Sequence, residues 1–381
     1  MKKIKIIYGL EAVGGGALKH LTYLVTRLNK EHFDIVVVLS NQRKDQSEFE
    51  IEQMINSGVN VIFLPIPKRI HIIKDFWITI KIFSILRKGN FDIIHAHSSK
   101  AGGIFRVAAF ILGSRNVLYT PHCFYYQGKV GFKRSIFLNI EKILAKLSSF
   151  IIVSENEKKE ILKYKIIKKD RIQNINNAID FNEYQHSIEI NTTLKEFNIP
   201  KGYFIVGSIG RLTHQKDWET FVFAANEVLK KYPKTVFIIT GDGELKNEIK
   251  KLIFTLGLER NIMLTGYVQE IHKILGIMDI FVSTSLWEGL SYVILEAMSY
   301  KKPVIATDTG NEYVIEHKIS GFITPVKDYH TIASKISELI NDKQKAMKMG
   351  KEGKNILIQK YSFEFFINRH EELYRKIVVK T

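Results

Sequence analysis

Short apolar, β-branched runs alternate along this chain with amphipathic stretches of helical period. In the first half the runs are 4–8, 35–39, 59–64, 93–95, 116–120, 151–153 and 172–174. Between them, stretches such as 18–29, 49–57 and 132–147 repeat apolar residues at three- and four-residue intervals. Runs this short and this uniformly apolar predict strands buried on both faces. Alternation of strand and helix through short connections predicts a parallel sheet covered on both sides.

The rhythm breaks over 183–201, EYQHSIEINTTLKEFNIPK, which is polar, weakly periodic and has Pro200 near its end. A linker is expected at 186–200, between domains spanning 1–185 and 201–362. A second series of strands follows at 203–208, 236–240, 262–265, 280–283, 304–306 and 321–323. The fold class expected is α/β, two tandem Rossmann-like doubly wound domains with an interdomain cleft. Ligands of such sheets bind at the strand carboxyl ends. The last segment reads as a helix that turns basic towards its end.

Composition narrows the picture. The 381 residues are 45% hydrophobic and 25% charged, ordinary for a globular chain. No apolar run approaches the ~20 residues of a membrane span. The opening MKKIKIIYGLEAVGGG reads as a strand and loop rather than a signal peptide. A single cysteine, Cys123, excludes an intrachain disulfide and fits a reducing compartment. The net charge of +17 admits nucleic acid, anionic lipid or a phosphorylated substrate as partner, or a lysine-rich composition without one. No nucleic-acid module is visible, so nucleic acid is not expected. Two zones, 68–88 and 129–146, interleave Lys and Arg with aromatic and aliphatic residues. They suggest docking on an anionic membrane surface, and so a cytoplasmic protein peripheral to the inner face of the plasma membrane.

The chemistry-bearing loops follow the strands. Gly14-Gly15-Gly16 comes after the first, where glycines let a phosphate approach. The GxGxxG fingerprint is not met, and no cofactor is expected. His95 and His97 point to one face of a strand, a possible metal pair. No third ligand is evident, and Ser98-Ser99-Lys100 suits hydroxyl or phosphate contacts, so no metal is expected. His122, after Tyr-Thr-Pro, is placed to meet substrate. Arg211 and Lys216 form the strongest phosphate signal, a bidentate fork and a point charge at the mouth of a helix near Asp217. Gly241–Glu244 and Gly266–Val268 are weaker signals at the next two strand ends. Glu288 stands in a loop and Glu296 about two turns into a helix that opens at Ser291 with free backbone N–H groups. Both carboxylates need hydrogen-bond donors, for example sugar hydroxyls.

Taken together, Glu288–x7–Glu296, the GRLTHQKDW loop, the glycine loop and the TPHCF histidine resemble family 4 of the retaining glycosyltransferases, over essentially the whole chain. HAHSSKAG and YTPH look most like the bacterial branch that builds surface polysaccharides. The resemblance implies the GT-B fold and metal-independent transfer from a nucleotide-diphosphate sugar, expected to be a UDP-sugar. It implies that Arg211 and Lys216 bind the diphosphate. Glu288, Gly289, Leu290 and Ser291 would hold sugar and phosphate, and Glu296 the ribose; the Gly266–Val268 loop, read from its own residues, could offer backbone groups to the base. His122 would reach the sugar from the first domain, Gly15 and Gly16 would close on it, and helix 363–381 would pack back on that domain. His97, Ser98 and Lys100 would face the acceptor, expected to be a polyprenyl-diphosphate-linked saccharide. Gly-Leu-Ser after Glu288 departs from the common Gly-Phe-Gly or Gly-Leu-Pro, leaving hexose or N-acetylhexosamine open. Alternatives on the same plan are a UDP-sugar epimerase, a phosphorylase, or a non-catalytic partner subunit that binds sugar nucleotide.

Overall fold

The structure, a computed structural model, describes residues 2–42, 48–184 and 188–379. Residues 185–187, where the expected linker begins, and 380–381, at the end of the expected terminal helix, lie outside them. The strands are β1 (Ile4–Leu10), β2 (Phe33–Ser40), β3 (Asn60–Leu64), β4 (Ile93–His97), β5 (Val117–Thr120), β6 (Phe150–Val153) and β7 (Ile172–Asn174), then β8 (Phe204–Ile209), β9 (Thr235–Thr240), β10 (Ile262–Gly266), β11 (Ile280–Ser283), β12 (Val304–Thr307) and β13 (Gly321–Thr324). They build two parallel sheets, ordered β3-β2-β1-β4-β5-β6-β7 and β10-β9-β8-β11-β12-β13. Each sheet belongs to its own unit: unit 1 is Met1–Asn177 with Glu364–Thr381, and unit 2 is Ala178–Phe363. The fold class is the one the alternation predicts, two Rossmann-like α/β units.

Uniformly apolar strands are what double coverage requires. Successive residues of unit 2 strands go to opposite faces, so Val206, Phe237 and Val282 enter one core while Ile205, Ile238 and Phe281 enter the other. Helices Trp218–Lys231 and Tyr329–Asn341 cover the first core, and Tyr292–Ser299 covers the second. In both sheets the strand order reverses beside the first strand of the unit, at β1/β4 and at β8/β11. The loops leaving those carboxyl ends therefore open at the switch points where ligands bind.

Two local differences from the sequence reading have physical causes. The chain passes into unit 2 at Ala178, and within 186–200 residues Ile190–Glu196 form a helix of that unit. Within that helix Leu194 is the one apolar side chain packed on the core, too few to show a helical period. The first helix starts at Gly15, ahead of Ala17, because Gly14 (φ 141°) and Gly15 (φ 63°) take backbone positions that favour glycine. The terminal helix Phe363–Val379 buries Phe366, His370, Leu373, Tyr374 and Ile377 at three- and four-residue spacing, and Tyr374 Oη lies 3.1 Å from Tyr8 Oη of β1.

Candidate active site

In unit 2 two loops meet because their strands are neighbours. Residues 210–217 leave β8 through a short turn, His214–Lys216, and Asp217 takes a left-handed φ of 48° before helix Trp218–Lys231. Residues 284–291 leave β11 and lead into helix Tyr292–Ser299. The loops are stitched by Leu286 N–H to the Gln215 carbonyl (2.8 Å), Thr284 Oγ1 to the Lys216 carbonyl (2.7 Å) and Gln215 Nε2 to the Trp287 carbonyl (2.8 Å). This frame aims Lys216 Nζ at Glu288 Oε1, 2.5 Å away. Ser285 Oγ donates to the same oxygen at 2.8 Å, and Gln215 Nε2 reaches Oε2 at 3.4 Å. Glu288 is only 8% exposed, and a carboxylate so buried needs these donors.

Just beyond it, Ser291 precedes the helix without capping it through its side chain, and the first turn carries no acid. An uncapped helix N-terminus favours an anion. Glu296, 2% exposed, accepts from Tyr184 Oη at 3.0 Å. Arg211 is exposed, its carbonyl held by Trp218 Nε1 at 3.0 Å. Gly241 and Gly243 serve packing: a Cβ at 241 would meet the Gly210 carbonyl at 2.0 Å, and one at 243 the Leu212 carbonyl at 2.5 Å. Gly289 is buried and Leu290 half-buried against the unit's core. Val268, half-buried, packs on the same core after the left-handed Gly266.

In unit 1 the histidines gather. Both ring nitrogens of His95 are engaged, Nδ1 with Tyr374 Oη and Nε2 with Thr120 Oγ1, each at 2.9 Å, so this histidine is structural. His97, two residues on, lies on the same face, with ring centroids 4.2 Å apart. It does not use His95 as a co-ligand; its Nδ1 sits 3.0 Å from His122 Nε2. His20, from helix Gly15–Arg27, completes a trio in which one ligand atom from each of His20, His97 and His122 lies within 4.8 Å of the others. The expectation that no third ligand accompanies the strand histidines is thus corrected: the partners come from a helix and a loop distant in sequence. Burial lowers the pKa of all three, His20 to about 4 despite a hydrogen bond from its ring to Asn177, and His97 and His122 well below the ordinary value.

The other acceptor-side candidates are engaged within the unit. His97 has no exposure, so it makes no direct contact with a substrate. Ser98 Oγ donates to Glu11, whose carboxylate also accepts Ala101 N–H at 2.9 Å and so fills the mouth of helix Ser99–Leu112. Lys100 pairs with Asp75 at 2.8 Å and donates to the Arg69 carbonyl. Gly15 and Gly16 are exposed, and a Cβ at Gly15 meets nothing. His122 and Cys123 both have positive φ, 51° and 87°. Glu157 holds this strained turn by accepting Cys123 N–H at 2.8 Å, while its other oxygen accepts Ser154 N–H and Oγ. Burial raises the Glu157 pKa against those bonds. Glu11, His20, Glu157, Tyr184, Gln215 and Ser285 were not assigned roles from sequence. Only Ser154-x-x-Glu157 carried a local signal, a capping box.

This arrangement, two Rossmann-like units with a cation-carboxylate pair beside a helix mouth, defines the GT-B class of transferases. Residues 14–183 match the family described as Glycosyltransferase Family 4, and residues 189–356 match Glycosyl transferases group 1. The chain belongs to these GT-B glycosyltransferases. It is 29% identical over 361 residues to the Escherichia coli UDP-Gal:alpha-D-GlcNAc-diphosphoundecaprenol alpha-1,3-galactosyltransferase, covering 92% of this chain and 91% of that protein. Its identity to the Staphylococcus aureus capsular polysaccharide biosynthesis glycosyltransferase CapM is 26%, covering 91% of each. The fold is shared with Anabaena Alr3699/HepE in complex with UDP-glucose, at a TM-score of 0.84, 21% identity and coverage of 98% of this chain and 100% of that one.

Proposed function

We propose that this glycosyltransferase moves a hexose or N-acetylhexosamine from a UDP-sugar to a lipid-diphosphate-linked saccharide, retaining the anomeric configuration, in bacterial surface-polysaccharide assembly. The observation that carries the reading is the Lys216–Glu288 contact at the uncapped start of helix Tyr292–Ser299, with Arg211 exposed on the adjoining loop. The hard step is departure of a diphosphate from an oxocarbenium-like sugar. Arg211, Lys216 and the helix N-terminus stabilise the leaving charge, with no metal at the diphosphate. Glu288, held by Ser285 and Gln215, takes sugar hydroxyls, and Glu296 takes the ribose. The acceptor hydroxyl attacks on the face the diphosphate leaves and passes its proton to that leaving group. The E. coli relative's UDP-galactose donor and diphosphoundecaprenol acceptor support the substrate classes.

A lipid-linked acceptor needs an enzyme at a membrane surface, and unit 1 has a face for it. Helix Gly131–Ala145 buries Glu141, paired with Arg106 at 2.8 Å, while Phe132 is 80% and Ile143 63% exposed. A core-packed amphipathic helix does the reverse. Ile72, Phe76 and Trp77 are likewise exposed at the start of helix Ile72–Gly89. Lysines 74, 81, 129, 133 and 142 lie near these side chains in sequence. Among the described residues no helix is long and apolar enough to cross a membrane; the attachment we propose is peripheral. The test of function is a donor screen by mass spectrometry against short polyprenyl-diphosphate saccharides. Transfer of one sugar with an α-linkage from an α-linked donor supports the reading. Conversion of the donor with no acceptor present would make the protein an epimerase.

A further inference from the structure

We infer that unit 1 holds a divalent transition-metal ion of zinc type on the imidazoles of His20, His97 and His122. The three arrive from different elements: the helix after β1, the end of β4 and the loop after β5. Their ring centroids are 4.7 Å (His20–His122), 5.2 Å (His97–His122) and 5.6 Å (His20–His97) apart. Imidazoles bound at about 2 Å around a tetrahedral ion bring their centroids about 5 Å apart and their nitrogens to a little over 3 Å. The ring centroids therefore already have the spacing of a three-histidine site, and ligand atoms now within 4.8 Å of one another draw closer on the ion.

The hydrogen bonds point the same way. Asn177 Oδ1, an acceptor only, lies 2.9 Å from His20 Nδ1, so that nitrogen carries the proton and Nε2 presents a lone pair. His20 Nε2 is buried and has no hydrogen-bond partner among the described residues. His97 Nδ1 and His122 Nε2, 3.0 Å apart, share a hydrogen bond in the metal-free protein; the ion replaces it, and its proton passes to the far nitrogen of the donating ring. A carbonyl behind a metal-binding imidazole is the usual device for fixing its tautomer and orientation. Three neutral imidazoles suit Zn2+, Co2+, Ni2+ or Cu2+, and not Mg2+ or Ca2+, which take oxygen ligands. His122 is the one member not fully buried, so the ion enters, and keeps its fourth position, on that side. His122 retains a second ring nitrogen for substrate. The ion ties the strained His122–Cys123 turn to the first helix; it has no part in the diphosphate contacts proposed in unit 2.

The test measures binding, not transfer, so it succeeds or fails independently of the proposed reaction. The purified full-length chain, stripped with a chelator, is titrated with Co2+ and then Zn2+ in the absence of donor and acceptor. One equivalent of Co2+ per chain with visible ligand-field absorption, displaced by Zn2+, is expected, together with a Zn2+-dependent rise in melting temperature. His20→Gln and His122→Gln lose the absorption; His122, at the rim, is the variant that keeps cooperative melting if His20→Gln does not. Asn177→Ala binds about 10- to 100-fold more weakly. Absence of Co2+ uptake by the wild-type chain overturns the site, as does unchanged binding by His122→Gln. A thiolate charge-transfer band, which would move the ion onto Cys123, overturns the three-imidazole assignment.

Discussion

Lys216 and Glu288 satisfy each other in the protein, and each also has work proposed for it on the donor. The contact is a positioning device: Ser285 and Gln215 keep the carboxylate in place when the ammonium turns to phosphate. Lys216→Ala then leaves Glu288 with two donors and the fold intact, while kcat falls about 10²- to 10³-fold, the loss typical of a missing transition-state donor. Glu288→Ala removes the sugar contact and lowers transfer comparably. Single-turnover rates together with melting curves separate both from misfolding; wild-type turnover by either variant removes the site assignment. Glu157 acts one step further out. Glu157→Gln leaves the Cys123 amide or the Ser154 pair poorly served, and a buried group so exposed costs about 1–3 kcal/mol. The expected result is a lower melting temperature and a kcat that falls while KM for the donor holds.

At the scale of elements, the inner strands were legible because burial on both faces leaves no room for ambiguity in residue type; the edge strands β3 and β7 are only partly covered, contrary to the expectation of double burial. β11, Ile-Phe-Val-Ser, can be nothing but core. Helix Ile190–Glu196 was not legible, since one apolar side chain packed on the core, Leu194, among polar neighbours does not make a period. The same limit hid the site's supporting residues. Arg211, Lys216, Glu288 and Glu296 stood out because each is an unusual residue at a strand end or in an apolar helix. Gln215, Ser285 and Tyr184 look ordinary until the β8 and β11 loops are brought together. The histidine trio spans about a hundred residues of sequence and has no local spacing to read. Element packing also yields a sharp stability test. Gly350, in helix Lys343–Lys360, passes so close to Lys301 that a Cβ would stand 1.8 Å from its carbonyl oxygen. Gly350→Ala must move backbone, costing about 1–3 kcal/mol. For a domain of unit 2's size each kcal/mol lowers the melting temperature by about 2–4 °C. An unchanged melt would contradict the packing described for that helix.

For the molecule as a whole, the net charge of +17 acquires a location. Exposed Phe132, Val130, Ile72 and Trp77 lie in lysine-rich stretches of unit 1, a combination of apolar area and positive charge that suits anionic lipid. The wild-type protein is expected to float with phosphatidylglycerol vesicles, less so at high salt, and not with neutral ones. Phe132→Asp with Trp77→Asp should abolish flotation while leaving UDP binding in unit 2 unchanged. Flotation that ignores both salt and these substitutions assigns the basic residues to composition alone.

The donor site proposed in unit 2 is what the rest of the proposed function depends on, and calorimetric titration of UDP addresses it directly. Wild-type protein is expected to bind one UDP per chain, and Arg211→Ala with Lys216→Ala to bind it at least about tenfold more weakly, one lost charge-assisted contact being worth roughly 1.5–3 kcal/mol. An equal Kd for wild type and the double variant would contradict the account, because the diphosphate would then rest on other groups.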